Sequence, residues 1–172
     1  MNRQITTFIL GDTRIGIDIL LVKEVYRHMS ITPIPDSPPQ LKGLMNLRGR
    51  VVTVIDLNVC LNRPSTDNIE TSRLLVLKTD EEIEKYKAAG FLENIFLGDD
   101  IVGLLIDQMD DVINIQDSDI FPAPPNLDEV EETLVKGVIK QEYQLIIILD
   151  VNAVLEKIMA VCDSTSTQEG LI

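Results

Sequence analysis

Apolar and polar side chains alternate through Gln4-Ile-Thr-Thr-Phe-Ile-Leu, and the run stops at Gly11-Asp12. A two-residue period ending on such a pair predicts a half-buried strand entering a hairpin. Val51–Ile55 and Leu145–Leu149 are instead unbroken β-branched and aliphatic runs, which predicts strands buried on both faces. Each is followed by an aspartate, Asp56 or Asp150, placed to cap a helix by accepting backbone N–H bonds. After Asp150 the period changes: Val151, Val154, Leu155, Ile158 and Met159 recur at helical spacing, predicting a helix over 152–161 with one apolar face. Residues 163–172 are polar and are expected to fray as a tail beyond a single domain over 1–162.

The pattern occurs twice. Sliding the chain by 87 positions lays Leu10-Gly11-Asp12 on Leu97-Gly98-Asp99, Gly16 on Gly103, Ile17 on Leu104 and Val25 on Val112. A slide of 94 lays Lys42-Gly43 on Lys136-Gly137, Val51–Ile55 on Leu145–Leu149 and Asp56 on Asp150. The difference falls in the acidic stretch 126–133, as a loop insertion would. Chance supplies single matches but not their fixed order and apolar phase, so the chain reads as a duplication. Each copy runs strand, hairpin, strand, Pro-rich connector, strand, hairpin, strand and short helix, the second copy opening on a strand over 93–98. Many short strands between Gly and Pro turns favour closed barrels over an open sheet with long bare edges. The expected fold is all-β with short helices: two pseudo-symmetric, interleaved β-barrels plus the C-terminal helix. One segment has no counterpart, residues 80–90, where Asp80 as N-cap, a Glu81–Lys85 pair and a stop at Gly90 predict a helix.

Charge divides the chain unevenly. The net charge is −13, yet residues 1–63 carry eight basic and five acidic side chains and residues 64–172 seven and 23. Such acidity argues against a dedicated nucleic-acid binder, which needs Lys and Arg to displace counterions, and against docking on an anionic membrane. No apolar run approaches the ~20 residues of a membrane span, and from Met1-Asn-Arg-Gln4 no secretory signal is expected. Two cysteines, Cys60 and Cys162, are too few for a disulfide framework, so a reducing cytoplasm is expected.

Catalytic chemistry is missing. His28 is the only histidine, so neither a His-based metal site nor a Ser-His-Asp arrangement can be completed. The acidic pairs lack the spacing of a calcium loop, and no glycine-rich loop is built to hold a phosphate. No cofactor or metal is expected. The unusual stretch is Lys42-Gly-Leu-Met-Asn-Leu-Arg-Gly-Arg50, a hairpin that sets two guanidinium groups at or near a turn beside strands otherwise buried. Arg48 either pairs internally with Glu24 or Asp18, locking a strand junction, or offers its planar fork to another protein. Glu24, the one acid in Ile19-Leu-Leu-Val-Lys-Glu-Val25, is correspondingly either that partner or an exposed anchor.

In order, Phe8-Ile-Leu-Gly-Asp12, Gly16-Ile-Asp-Ile-Leu20, Val22-Lys-Glu-Val25, Ile31-Thr-Pro-Ile-Pro35, Lys42-Gly-Leu-Met-Asn-Leu-Arg-Gly49 and Val51–Asp56 resemble the CheW family of bacterial chemotaxis coupling proteins. Val102-Gly-Leu-Leu-Ile-Asp107, Phe121-Pro-Ala-Pro124 and Lys136-Gly137 continue the likeness, which spans about 4–160. The resemblance implies two five-stranded SH3-like barrels around a shared core. It also implies a cytoplasmic, non-enzymatic adaptor between the hairpin tip of a chemoreceptor and the regulatory domain of the histidine kinase CheA. Val22 and Glu24 match the family's Val-x-Glu strand, and Asn46, Leu47, Arg48 and Gly49 its Asn-Leu-Arg-Gly motif, with Arg48 the residue needed for signalling. Ile34, Val51 and Leu104 are expected to line an apolar groove between the barrels that takes the receptor tip. Thr53 departs from the family's usual proline, and the 80–90 helix exceeds its usual loop. Two other readings stay open: a coupling protein for surface motility or development, and a sensor holding a small ligand between the barrels.

Overall fold

A computed structural model describes residues 1–27, 30–65, 70–125 and 130–169, with side chains of the last stretch described as far as Ala160. His28, the side chain of Cys162 and the first half of the acidic insertion, 126–129, lie outside it. The chain runs β1 (Asn2–Leu10), β2 (Thr13–Asp18), β3 (Val22–Tyr26), β4 (Leu41–Leu47), β5 (Arg50–Asp56), α1 (Leu57–Cys60) and β6 (Arg73–Leu77). It continues through α2 (Asp80–Ala88), β7 (Ile101–Ile106), β8 (Gln108–Gln116), β9 (Ile120–Phe121), β10 (Val135–Gln141), β11 (Gln144–Leu149) and α3 (Val151–Glu169). The strands make two sheets, β8-β1-β2-β11-β10-β9 and β3-β6-β7-β5-β4. These are the two SH3-like barrels, the first with the two-residue β9 as a sixth strand. No ladder joins the end strands of either sheet among the described residues, so closure is left to side chains.

The halves interleave. In each sheet a parallel ladder joins early chain to late: β2 to β11 through Gly16–Ile148, and β7 to β5 through Gly103–Val54. Three apolar clusters follow from this crossing. Met45, Val52, Val54, Leu74, Val76 and Leu105 fill one barrel. Ile5, Ile115, Ile139, Ile146 and Ile148 fill the other. The largest cluster, with Phe8, Ile17, Ile55, Leu75, Leu104, Ile147 and Val154, lies between the sheets under α3. The runs at 51–55 and 145–149 are buried on both faces only past their exposed first residues, Val51 and Leu145: Val54 and Ile55, and Ile146 through Leu149, feed a barrel interior and the shared core in turn.

The duplication is real in the ladders but not where the sequence places its first strand. A Cβ on Gly16 would meet Ile5 Cγ2 at 2.5 Å, and one on Gly103 would meet Leu74 Cδ1 at 2.8 Å. These two close approaches correspond, so the second copy of β1 is β6. The strand expected over 93–98 does not form, because β7 already has β6 on one side and β5 on the other. Side chains take the backbone donors there instead. Asp80 accepts from the N–H groups of Leu97 (2.6 Å) and Gly98 (3.0 Å), and Asn152 from that of Phe96 (3.1 Å). Leu92 and Leu97 then drop into the shared core. Thus the two-residue turn between β1 and β2 becomes, between β6 and β7, the whole of 78–100 with α2 inside it. The cap of α2 is Thr79 rather than Asp80: the Glu82 carboxylate accepts from the Thr79 N–H at 3.1 Å. α3 runs on to Glu169, past the expected end at residue 161, since no proline or glycine interrupts the chain before Gly170.

Candidate functional site

The β4–β5 hairpin turns on two residues, Arg48 (φ 53°) and Gly49 (φ 83°), between the paired Leu47 and Arg50. Positive φ at both central positions defines the type I′ turn that matches strand twist and favours Asn-Gly. Nothing lies within 4 Å of a Cβ built on Gly49, so conformation and not crowding requires glycine there. The Asn46 side chain fixes the turn by accepting from the Gly49 N–H at 2.9 Å. Arginine at Arg48 serves neither the turn nor a core. In the second copy Glu142 (φ 40°) and the fully exposed Tyr143 stand in these places.

β3 and β4 are the two end strands of their sheet. Arg48 reaches across that gap and donates from Nη1 to Glu24 Oε1 at 2.9 Å, its guanidinium 5.7 Å from the centroid of the Tyr26 ring. The Tyr26 hydroxyl donates to the other oxygen of Glu24. Glu24 and Tyr26, two apart on one strand, share a face, and Tyr26 packs on the barrel interior with Leu47. These three side chains clasp the barrel mouth. The Tyr26 hydroxyl holds the Glu24 carboxyl below its ordinary range, against the effect of burial and with help from Arg48. The same bond pushes the Tyr26 phenol up. The Arg48 side chain is 71% exposed and that of Glu24 29%, so solvent screens the pair and it adds little to folding. Arg48 therefore does pair internally, yet keeps most of its fork free. Asp18, the other carboxylate weighed for it, is held by Arg3 at 3.0 Å.

Val22 opens β3 half-buried against the shared core, with the pairing shifted by a bulge before Glu24. Val51, opposite Asn46 beside the turn, is 61% exposed. Ile34 is half-buried in the Pro-rich connector, its carbonyl accepting from the Ser37 N–H at 3.3 Å. Leu104 does not belong with them. It is 1% exposed in the shared core, where it pairs with Ile55 and Leu75, so it cannot line an open groove. Val51 lies four residues before Ile55, roughly 13 Å along the ladder from Leu104. Sequence reasoning did not name Tyr26; its two-residue spacing from Glu24 is the signal that could have placed it in the site.

Among the described residues no group of three or more His, Cys, Asp or Glu side chains could hold a metal ion. Burial, with the Asp56 charge next, pushes the Cys60 thiol up to about 12. No helix of the described chain is long and apolar enough to cross a membrane.

A family model described as the CheW-like domain matches residues 4–159. The chain is 29% identical to the chemotaxis protein CheW of Bacillus subtilis (strain 168), over 91% of this chain and 88% of that one. It is also 29% identical to protein FrzA of Myxococcus xanthus, over 77% and 71%. Among solved structures it is similar to the scaffolding protein TtCheW of Thermoanaerobacter tengcongensis, with a TM-score of 0.72 and 29% identity, covering 90% of this chain and 88% of that one. With interleaved twin barrels and an Asn-Leu-Arg-Gly turn in place, the chain belongs to the CheW-like domain family.

Proposed function

We propose that this protein is a non-enzymatic adaptor of chemotaxis signalling, coupling the cytoplasmic tip of a chemoreceptor hairpin to the regulatory domain of the histidine kinase CheA. One observation carries the assignment of the site: Arg48 occupies a left-handed turn position that asparagine or glycine fills at lower cost, with its guanidinium largely open to solvent. Strain held where neither turn nor core needs it points to a role in binding. Val22, Glu24 and the hairpin residues Asn46, Leu47, Arg48 and Gly49 form this surface, with Val51 beside it; Ile34 enters on resemblance alone. The exposed fork suits carboxylate and carbonyl partners, and Glu24 with Tyr26 aims it. The charge of −13 argues against a nucleic-acid partner. The reading places the protein in the cytoplasm, where receptor tips and kinase meet.

The test is a resonance titration of the labelled protein with a receptor hairpin fragment and, separately, with the kinase regulatory domain. Two different sets of amide resonances should move, at least one including 46–51. Binding of neither partner, at any salt concentration, would sink the adaptor reading.

A further inference from the structure

The insertion 78–100, which the first half of the chain lacks, builds a surface of its own. Phe96 from it, Leu155 and Met159 from α3, and Leu41, Thr53 and Val102 from the sheet enclose an open groove of about 550 Å³. Phe96 is 68% and Met159 59% exposed, a large apolar area to leave in water. The groove is nevertheless held rigid. Asn152 pins the Phe96 backbone from α3, and Asp80 pins the next two residues, so the aromatic ring is presented on a fixed frame. Preorganisation of this kind lowers the ordering cost of binding. Asp100 and Glu156 stand exposed among the lining residues, with Asp80 beside them, and among the described residues no Lys or Arg lines the groove. The Lys87 ammonium lies 4.5 Å from the Phe96 ring centroid but belongs to α2, outside the lining. The groove is offset from the Arg48 clasp although β4 and β5 serve both: its lining omits Glu24, Tyr26 and Arg48, and Leu41, paired with Ile55, stands at the end of the hairpin opposite the turn.

We propose that this groove docks a third polypeptide segment, an amphipathic helix whose apolar side chains enter between Phe96 and Met159 while flanking Lys or Arg residues meet Asp100 and Glu156. An apolar trough with an acidic rim selects such a helix over neutral or acidic ones, as helix-in-groove recognition requires.

A fluorescein-labelled amphipathic helix built only of Leu and Lys is the probe, titrated into the full-length protein at physiological salt, where exposed charges are screened beyond about 8 Å. The expected result is binding, with amide shifts centred on 96–102 and 155–160. Phe96→Ala and Met159→Ala should each weaken it roughly tenfold, as truncated apolar anchors do, with the melting temperature unchanged because both side chains are exposed. Asp100→Asn with Glu156→Gln should weaken it and flatten its salt dependence. A scrambled peptide of the same composition, with no apolar face, and a Leu/Glu helix should bind at least about tenfold less tightly. Equal binding of the scrambled or acidic peptide, or affinity indifferent to Phe96 and Met159, would overturn the proposal. So would sedimentation showing a dimer that Met159→Ala dissolves, since the occupant would then be a second copy.

Discussion

Arg48 sits where backbone geometry asks for asparagine, and the clasp it makes is too exposed to hold the fold together. Arg48→Ala should therefore leave the melting temperature within a few degrees while abolishing receptor-dependent kinase stimulation in a reconstituted assay. A collapse of stability would make the residue a structural lock instead. The clasp also has a defined pH response. Because the folded Glu24 carboxyl titrates below its ordinary value of 4.5, whatever stability the clasp supplies is complete above that pH and is lost as pH falls through the folded value. A carbon-detected titration of Glu24 should show this, and Tyr26→Phe, removing the largest cause of the shift, should move the midpoint up. Cys60, buried with its thiol raised to about 12, should resist alkylation in the native protein at neutral pH and react only after unfolding. Residue types offered the Glu24–Arg48 pairing only as one of three options, beside Asp18 and another protein, because they do not say which carboxylate the fold brings to the turn. Leu104 was misread because sequence marks it as apolar without saying which side of β7 faces the shared core.

At the scale of elements, the paired glycines and the caps report the design. The alternation at 93–98 is real, but an alternating run becomes a strand only when a ladder edge is free, and β7 has none. Its apolar residues serve as plugs instead. Leu97→Ala should cost about 2–5 kcal/mol, as other large-to-small core changes do, measured by denaturant unfolding. Asp80→Ala should speed hydrogen exchange at the Leu97 and Gly98 amides while sparing the β7 ladder, because it removes their shared acceptor. Thr53 pairs with Leu44 on one side and Val102 on the other, in the middle of the sheet, and brings there the backbone N–H that proline would lack. The end of α3 was misjudged because polar composition alone does not stop a helix; a glycine or proline does.

For the whole molecule, duplication was legible because the parallel-paired strands keep their glycines and apolar runs. The way the copies exchange strands was not, since ladder partners far apart in sequence leave no local signal. That exchange has a functional consequence. Each barrel contains strands from both copies of the repeat, so a load on one barrel is carried through the shared core of Phe8, Ile55, Leu104 and Ile147 to the other. Such a body suits holding two proteins at a fixed mutual angle better than closing over a small molecule. Sedimentation velocity of this protein mixed with the receptor hairpin fragment and the kinase regulatory domain tests that most directly. The account predicts a single faster species containing all three, which the receptor fragment and kinase domain do not form without it. Mutually exclusive complexes, each partner displacing the other, would contradict it.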